Sequence, residues 1–272
     1  DILKKTIKDK MLIFYMLVFS VVSPIFISTY GLFNEFLISL FFLIVGSWLI
    51  LEEHHIASLS LFLLAFFINH KIFIAIIIVL VIFYEKFKCK NIVFPFLIMV
   101  LSTFVFFNFN KAAMPEYISL PSLLTYYISD FGNLPGMGIF SLCLGLTGII
   151  FTWKEKKKYA IYYLALLFLA VNSLVYFPLL ALANLIIAYF SSIGFINILR
   201  RHWESDELKK YLVMLIVCGL VFSTGAYIKK IAESGPSYSE VYSLEWLRDN
   251  SEKGENILSN YKYGNFIYAI SR

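Results

Sequence analysis

Apolar residues along this chain come in long unbroken runs, not in the alternation of a strand or the narrow stripe of a surface helix. Between clusters of charge the runs cover about 11–28, 34–51, 56–69, 72–84, 92–109, 137–153, 159–176, 178–198 and 211–228. Each is set against the roughly 20 residues that a helix needs to cross the hydrocarbon of a bilayer. The third and fourth runs are short. Asn69-His70-Lys71 between them predicts a tight turn, because one helix through 56–84 would hold a lysine at mid-membrane at a cost of roughly a few kcal/mol. Pro24 falls inside the first run, which is tolerable where neighbouring helices satisfy the freed carbonyl. The pattern predicts an all-α polytopic transmembrane helical bundle of about nine spans.

Lysine and arginine give these runs an orientation. With Lys4, Lys5, Lys8 and Lys10 inside, nine spans also put Lys86, Lys88, Lys90, Lys154, Lys156, Lys157, Lys158, Arg200, Arg201, Lys209 and Lys210 inside. Before residue 229 only Lys71 and Lys111 then lie outside. Joining 56–84 into one helix would reverse that asymmetry for everything downstream. The expected location is a cell membrane, multi-pass, with the N-terminal side cytoplasmic and the residues from about 229 extracytoplasmic.

Composition removes the other broad classes. The 272 residues are 60% hydrophobic, 18% aromatic and only 15% charged, with a mean hydropathy of +0.79. A soluble domain of this size has no core able to take 28 Phe and 18 Tyr, and a disordered chain has far fewer. The net charge of +5 matters less than where the charges stand, and no nucleic-acid partner is expected. Cys89, Cys143 and Cys218 are too scattered for a disulfide framework or a zinc site. The chain opens at Asp1 and stops at Arg272 as a polar segment begins, and is expected to be an inactive fragment of a longer protein.

Two segments fall outside the expected bundle. Residues 1–228 form the transmembrane domain with an outer loop at 110–136, and 229–272 open an extracytoplasmic soluble α/β domain. In the tail, Ser237-x-x-Glu240 reads as a capping box for a helix through Trp246 and Leu247, and Asn256-Ile257-Leu258-Ser259 as a short strand. In the loop, Ser122-Leu123-Leu124-Thr125-Tyr126-Tyr127-Ile128 is amphipathic and suited to the interface, before Asp130-Phe131-Gly132 turns the chain into the next run.

Polar side chains near spans are the candidates for chemistry. Glu52-Glu53-His54-His55 ends the second run, but adjacent histidines point to different sides of a helix and chelate poorly, which leaves a solvated helix end. On the expected outer face stand Glu35, Asn69, His70, Lys71, Glu116 and Asp130. Carboxylates such as Glu35 and Glu116 can hold a divalent metal or act as base, and His70 and Lys71 can face a phosphate. Each is also what an ordinary interfacial residue looks like.

The loop and tail resemble the GT-C class of membrane glycosyltransferases, in particular prokaryotic relatives of oligosaccharyltransferase catalytic subunits. The shared features are an extended outer loop, a phrase like Asp130-Phe131-Gly132 entering the next span, further spans, and then an external segment. That segment opens with a phrase like Leu244-Glu245-Trp246-Leu247-Arg248-Asp249-Asn250, followed by Tyr261-Lys262-Tyr263-Gly264. Ala113-Met114-Pro115-Glu116 keeps only the Glu of the family's loop motif. Tyr261-Lys262-Tyr263-Gly264 keeps the Tyr-Gly of its acceptor-reading motif but carries Lys262 in place of the acid.

The resemblance implies sugar transfer from a polyprenyl-phosphate-linked donor to a protein, lipid or glycan acceptor on the outer face. It also implies a Mg or Mn ion, with the family's metal-binding acidic motifs upstream of Asp1. Glu116 and Glu35 become candidates for metal or acceptor, His70 and Lys71 for the donor phosphate, and Tyr261, Lys262, Tyr263 and Gly264 for the acceptor side. A transporter or flippase for a lipid or small solute, and a non-catalytic membrane scaffold, are the rival classes.

Overall fold

The computed structural model describes residues 9–30, 35–87, 98, 100–106, 120–131, 136–233 and 238–251, and these are overwhelmingly helical. The first helices are α1 (Lys10–Val21), α2 (Pro24–Tyr30), α3 (Glu35–Leu51), α4 (His55–Ile68) and α5 (Phe73–Phe87). After the loop helix α6 (Leu120–Tyr127) come α7 (Ile139–Thr152), α8 (Lys156–Ser173), α9 (Leu179–Arg200), α10 (Asp206–Glu233) and α11 (Tyr238–Asn250). The chain divides into two compact units, Asp1–Tyr227 and Ile228–Arg272.

Local chemistry explains where helices start and stop. Asp9 accepts from the backbone N–H groups of Met11 and Leu12 at 2.9 and 3.4 Å and so caps α1. Pro24 cannot continue that helix, and α1 and α2 meet at a bend of 72°. Helix α3 ends with Glu53 in the left-handed region at φ 67°, where the His54 N–H reaches back to the Leu49 carbonyl at 2.9 Å. The chain returns as α4, with the Ser58 hydroxyl donating to the Gly46 carbonyl at 2.8 Å.

In the first unit, α9 is the central element. Helix α1 packs on it through Phe195, which meets the Tyr15 ring at 4.9 Å and the Phe19 ring at 5.7 Å. Asp9 pairs with Arg200 at 3.5 Å at the far end, so α1 and α9 run antiparallel. Helix α8 lies along another side, with Tyr163 stacked on Phe190 at 5.3 Å and Tyr162 on Tyr189 at 5.8 Å. Helix α7 comes closest. The Ser191 hydroxyl donates to the Ser141 carbonyl at 2.7 Å, and Gly145, Gly148 and Gly194 let the two backbones touch.

The nine-span bundle followed by an α/β domain is not what the chain forms. Among the described residues two helices are long and apolar enough to cross a membrane, at Leu179–Arg200 and Asp206–Lys229, and a third if bent α1 and α2 count as one span. Helices α3 and α4 and the stretch His70–Ile82 are apolar but shorter. The reason lies in the turns, because a run of apolar letters counts turn residues along with the helix. The run at 137–153 holds a helix of 14 residues, ~21 Å long against ~30 Å of hydrocarbon, and so does the run at 56–69. Helix α8 spends its first turn on Lys156, Lys157 and Lys158. No strand occurs among the described residues; the only β-type pairing there is an isolated bridge between Ile128 and Met137. Beyond residue 229 they form the end of α10 and α11, which includes Trp246 and Leu247, while the strand expected at 256–259 lies outside them.

The α7–α9 contact makes a sharp test. A Cβ on Gly148 would overlap the Phe190 carbonyl oxygen, whereas one on Gly225 meets nothing within 4 Å. Gly148→Ala is expected to destabilise the detergent-solubilised protein by roughly 1–3 kcal/mol or more. Gly225→Ala is expected to be neutral or to stabilise by up to about 1 kcal/mol. Thermal unfolding followed by circular dichroism separates the two.

Candidate functional site

Helix α4 stops at Ile68 because Asn69 leaves the helical region at φ −144°, ψ 97°, and its Oδ1 accepts the Lys71 N–H at 3.0 Å. This opens a short 3-10 turn, His70–Ile72, from which α5 continues. The other half of the Asn69 amide points elsewhere: Nδ2 donates to the Tyr176 hydroxyl at 2.8 Å. Asn69 is thus buried with both ends of its side chain in use.

Tyr176, in the turn between α8 and α9, gathers the rest. The Lys71 ammonium lies 5.2 Å from the centre of its ring, within cation–π range. Phe36 of α3 meets the same ring edge-on at 5.9 Å. Burial pushes the Tyr176 hydroxyl up from its ordinary value, the negative charge of Glu35 adds to this, and the Asn69 hydrogen bond pulls the other way. Of the candidates read from the sequence, Lys71 lies over this tyrosine and Glu35 is near enough for its charge to act on the hydroxyl.

The loop helix α6 buttresses the same turn. Tyr126 donates to the Ser173 carbonyl at 2.5 Å, and Tyr127 to the Ala170 carbonyl at 2.6 Å. The Tyr126 ring stands edge-on to Phe177 at 5.1 Å. Burial raises both hydroxyl pKa values, with charge coupling to Tyr127 adding to the effect on Tyr126 and a bond from Ser173 opposing it on Tyr127. One turn before Tyr176, fully buried Asn172 donates to the Thr103 hydroxyl at 3.0 Å and the Phe168 carbonyl at 2.7 Å, while its Oδ1 has no protein partner. Asn184 of α9, also fully buried, has none for either amide atom, and Ser39, one turn along from Glu35, has none for its hydroxyl.

Other candidates fall elsewhere. His70 is exposed in the turn. Asp130 accepts the Ile139 N–H at 2.7 Å, so it caps the first turn of α7. Glu116, Tyr261, Lys262, Tyr263 and Gly264 lie outside the described residues. Among the described residues no group of three or more His, Cys, Asp or Glu could hold a metal. At the cluster the described donor set is one carboxylate and an ammonium around an aromatic ring, which does not fit Mg²⁺ or Mn²⁺.

Tyr176, Asn172 and Asn184 are the residues that sequence reasoning missed. The two asparagines did carry a signal, since an amide inside an apolar run has to find a partner. Tyr176 carried none, being one of 18 tyrosines. No protein-family model, curated protein or solved structure matches the chain.

Two measurements probe this geometry. The folded chain holds the protons of Tyr126, Tyr127 and Tyr176 at pH values where the unfolded chain releases them. Their contribution to stability is therefore complete below the ordinary tyrosine value of 10.0 and is lost as pH rises past it. Thermal unfolding between neutral and strongly alkaline pH is expected to show that decline, and Tyr126→Phe to make it shallower. Asp130→Ala is expected to lower stability by about 1 kcal/mol through loss of the α7 cap, and Asp130→Asn by less.

Proposed function

We propose that this chain is a membrane glycosyltransferase of the GT-C kind, moving a sugar from a polyprenyl-phosphate-linked donor to an acceptor on the outer face of a cell membrane. The observation that carries this reading is the Lys71 ammonium over Tyr176 at one end of the helices, with the charge of Glu35 acting on the same tyrosine. A prenyl chain stays among apolar helices while its charged head has to meet polar groups at a bundle end. In the transfer, the acceptor oxygen attacks the anomeric carbon and the bond from that carbon to the phosphate oxygen breaks. Its electron pair leaves with the polyprenyl phosphate, whose charge faces the Lys71 ammonium. Glu35 takes the acceptor proton. Tyr176 and Phe36 offer aromatic faces for the sugar. Glu116 and Tyr261-Lys262-Tyr263-Gly264 belong to the acceptor side of the same reading.

The orientation follows the charges. Asp9, Arg200 and the lysines at 154–158, 209 and 210 stand at the end of the helices away from Tyr176. The positive-inside rule assigns that end to the cytoplasm, so the cluster faces outward.

One observation favours transport of a lipid or small solute instead. The bend between α1 and α2 is a broken apolar helix, beside which the buried Ser23 and Ser223 hydroxyls have no protein partner. Lipid-bilayer vesicles containing the full-length protein and a labelled polyprenyl-phosphate sugar separate the readings. Transfer to acceptor is expected, with Lys71→Gln, Glu35→Gln and Glu116→Gln each lowering turnover at least tenfold, about 1.4 kcal/mol of transition-state stabilisation. Turnover unchanged in well-expressed Lys71→Gln and Glu35→Gln overturns the assignment of the cluster. Donor crossing the bilayer with no transfer by the parent protein establishes the rival.

A further inference from the structure

A groove of about 580 Å³ lies where α10 leaves the bundle, at the end opposite Tyr176. It exists because α10 touches the rest of the first unit along a narrow seam. Ile216 and Leu220 join the apolar cluster of Phe19, Leu144 and Phe195, and the Thr224 hydroxyl donates to the Val22 carbonyl. Most of the helix is otherwise uncovered, and Met214, Val217 and Cys218 are exposed.

The groove has a direction. Lys209, Val213 and Val217 form one row at four-residue spacing on α10, and Lys210, Met214 and Cys218 a second beside it. Each row begins with a lysine and continues in apolar side chains for eight residues, or ~12 Å of helix. Leu199 of α9 closes the opposite wall. At the mouth, Asp206 is the one acid among the lining residues, against Lys209 and Lys210, with Arg200 and Arg201 ending α9 close by. Neither lysine has an ion-pair partner among the described residues.

We propose that this groove is a binding site for an anionic phospholipid, its phosphate on Lys209 and Lys210 and an acyl chain along Val213, Met214, Val217 and Cys218. The chemistry matches at both ends. Two lysines at the mouth with no ion-pair partner among the described residues favour a headgroup of net negative charge over a zwitterionic one, and a floor that turns apolar within one turn repeats the polarity of a bilayer leaflet. The site stands apart from Tyr176 and does not depend on the transferase reading.

The test uses the whole chain in nanodiscs of phosphatidylcholine carrying a small fraction of phosphatidylglycerol with a photoactivatable acyl chain. Crosslinks are expected to concentrate on the peptide holding Val213–Cys218, and to be displaced by unlabelled phosphatidylglycerol but not by phosphatidylcholine. The double variant Lys209→Gln, Lys210→Gln is expected to lower that labelling roughly tenfold or more, while Lys209→Arg, Lys210→Arg retains it. Val217→Trp, which fills the groove and leaves the charges, is expected to abolish it in protein with an unchanged circular dichroism melt. Labelling spread evenly over the apolar helices overturns the proposal. So does equal displacement by the two lipids, or a phosphatidylglycerol preference that survives the double glutamine variant.

Discussion

The α7 backbone touches that of α9, and the space between them does not admit a methyl group at Gly148. Among apolar surroundings the reason for such contact differs from that in water. Exchanging one apolar neighbour for another gains little, so helices are held by dispersion at short range and by hydrogen bonds that cross the interface. Gly145, Gly148 and Gly194 supply the short range, and the Ser191 to Ser141 bond supplies the crossing. Phe190 extends the lock to a third helix: its carbonyl abuts Gly148, while its ring stacks on Tyr163 of α8. Three helices are thereby fixed at one level of α9, and the position of the α8–α9 turn follows from it.

That turn carries Tyr176, which accounts for the cluster forming where it does. Asn69 interrupts an apolar stretch that would otherwise run on as helix, and its two amide atoms divide the work of capping the next turn and holding Tyr176. Lys71, two residues on, then has an aromatic face to lie over at the helix end, where its ammonium does not have to give up water for hydrocarbon. The loop helix adds a second anchor through Tyr126 and Tyr127, whose hydroxyls donate to the Ser173 and Ala170 carbonyls in the last turn of α8.

Much of the local punctuation was legible in the sequence and the global count was not. The break at Asn69-His70-Lys71, the turn at Asp130-Phe131 and the helix through Trp246 all rest on short-range chemistry, in which a polar or conformationally special residue acts on its immediate neighbours. The number of spans depends on where each helix ends within an apolar run, and hydropathy does not register that. Leu174 to Pro178 is as apolar as the helices on either side, yet it is the turn that holds the site. Glu35 and Lys71 could be chosen as polar residues near spans, but their meeting at Tyr176 depends on α3, α4 and α8 converging through tertiary packing, which one sequence read linearly does not contain.

The buried polar atoms extend the same reasoning inward. A hydroxyl on a helix can satisfy itself from the carbonyl three or four residues back, as Ser47, Ser102 and Thr152 do. An asparagine has four hydrogen-bonding positions and rarely fills them that way. Asn172 fills two with Thr103 and Phe168 and leaves its oxygen unpartnered by protein, and Asn184 leaves both atoms so. Replacing either by leucine would remove an unsatisfied buried amide and cost the fold little, so their presence is not explained by stability alone. Their place is informative: Asn172 stands one helical turn inside Tyr176, and Asn184 five residues into the helix that follows it. Polarity therefore does not end at the Glu35–Lys71 surface but reaches about a turn further into the bundle, as a site must if the polar head of a membrane-held ligand is to leave the water without losing every hydrogen bond.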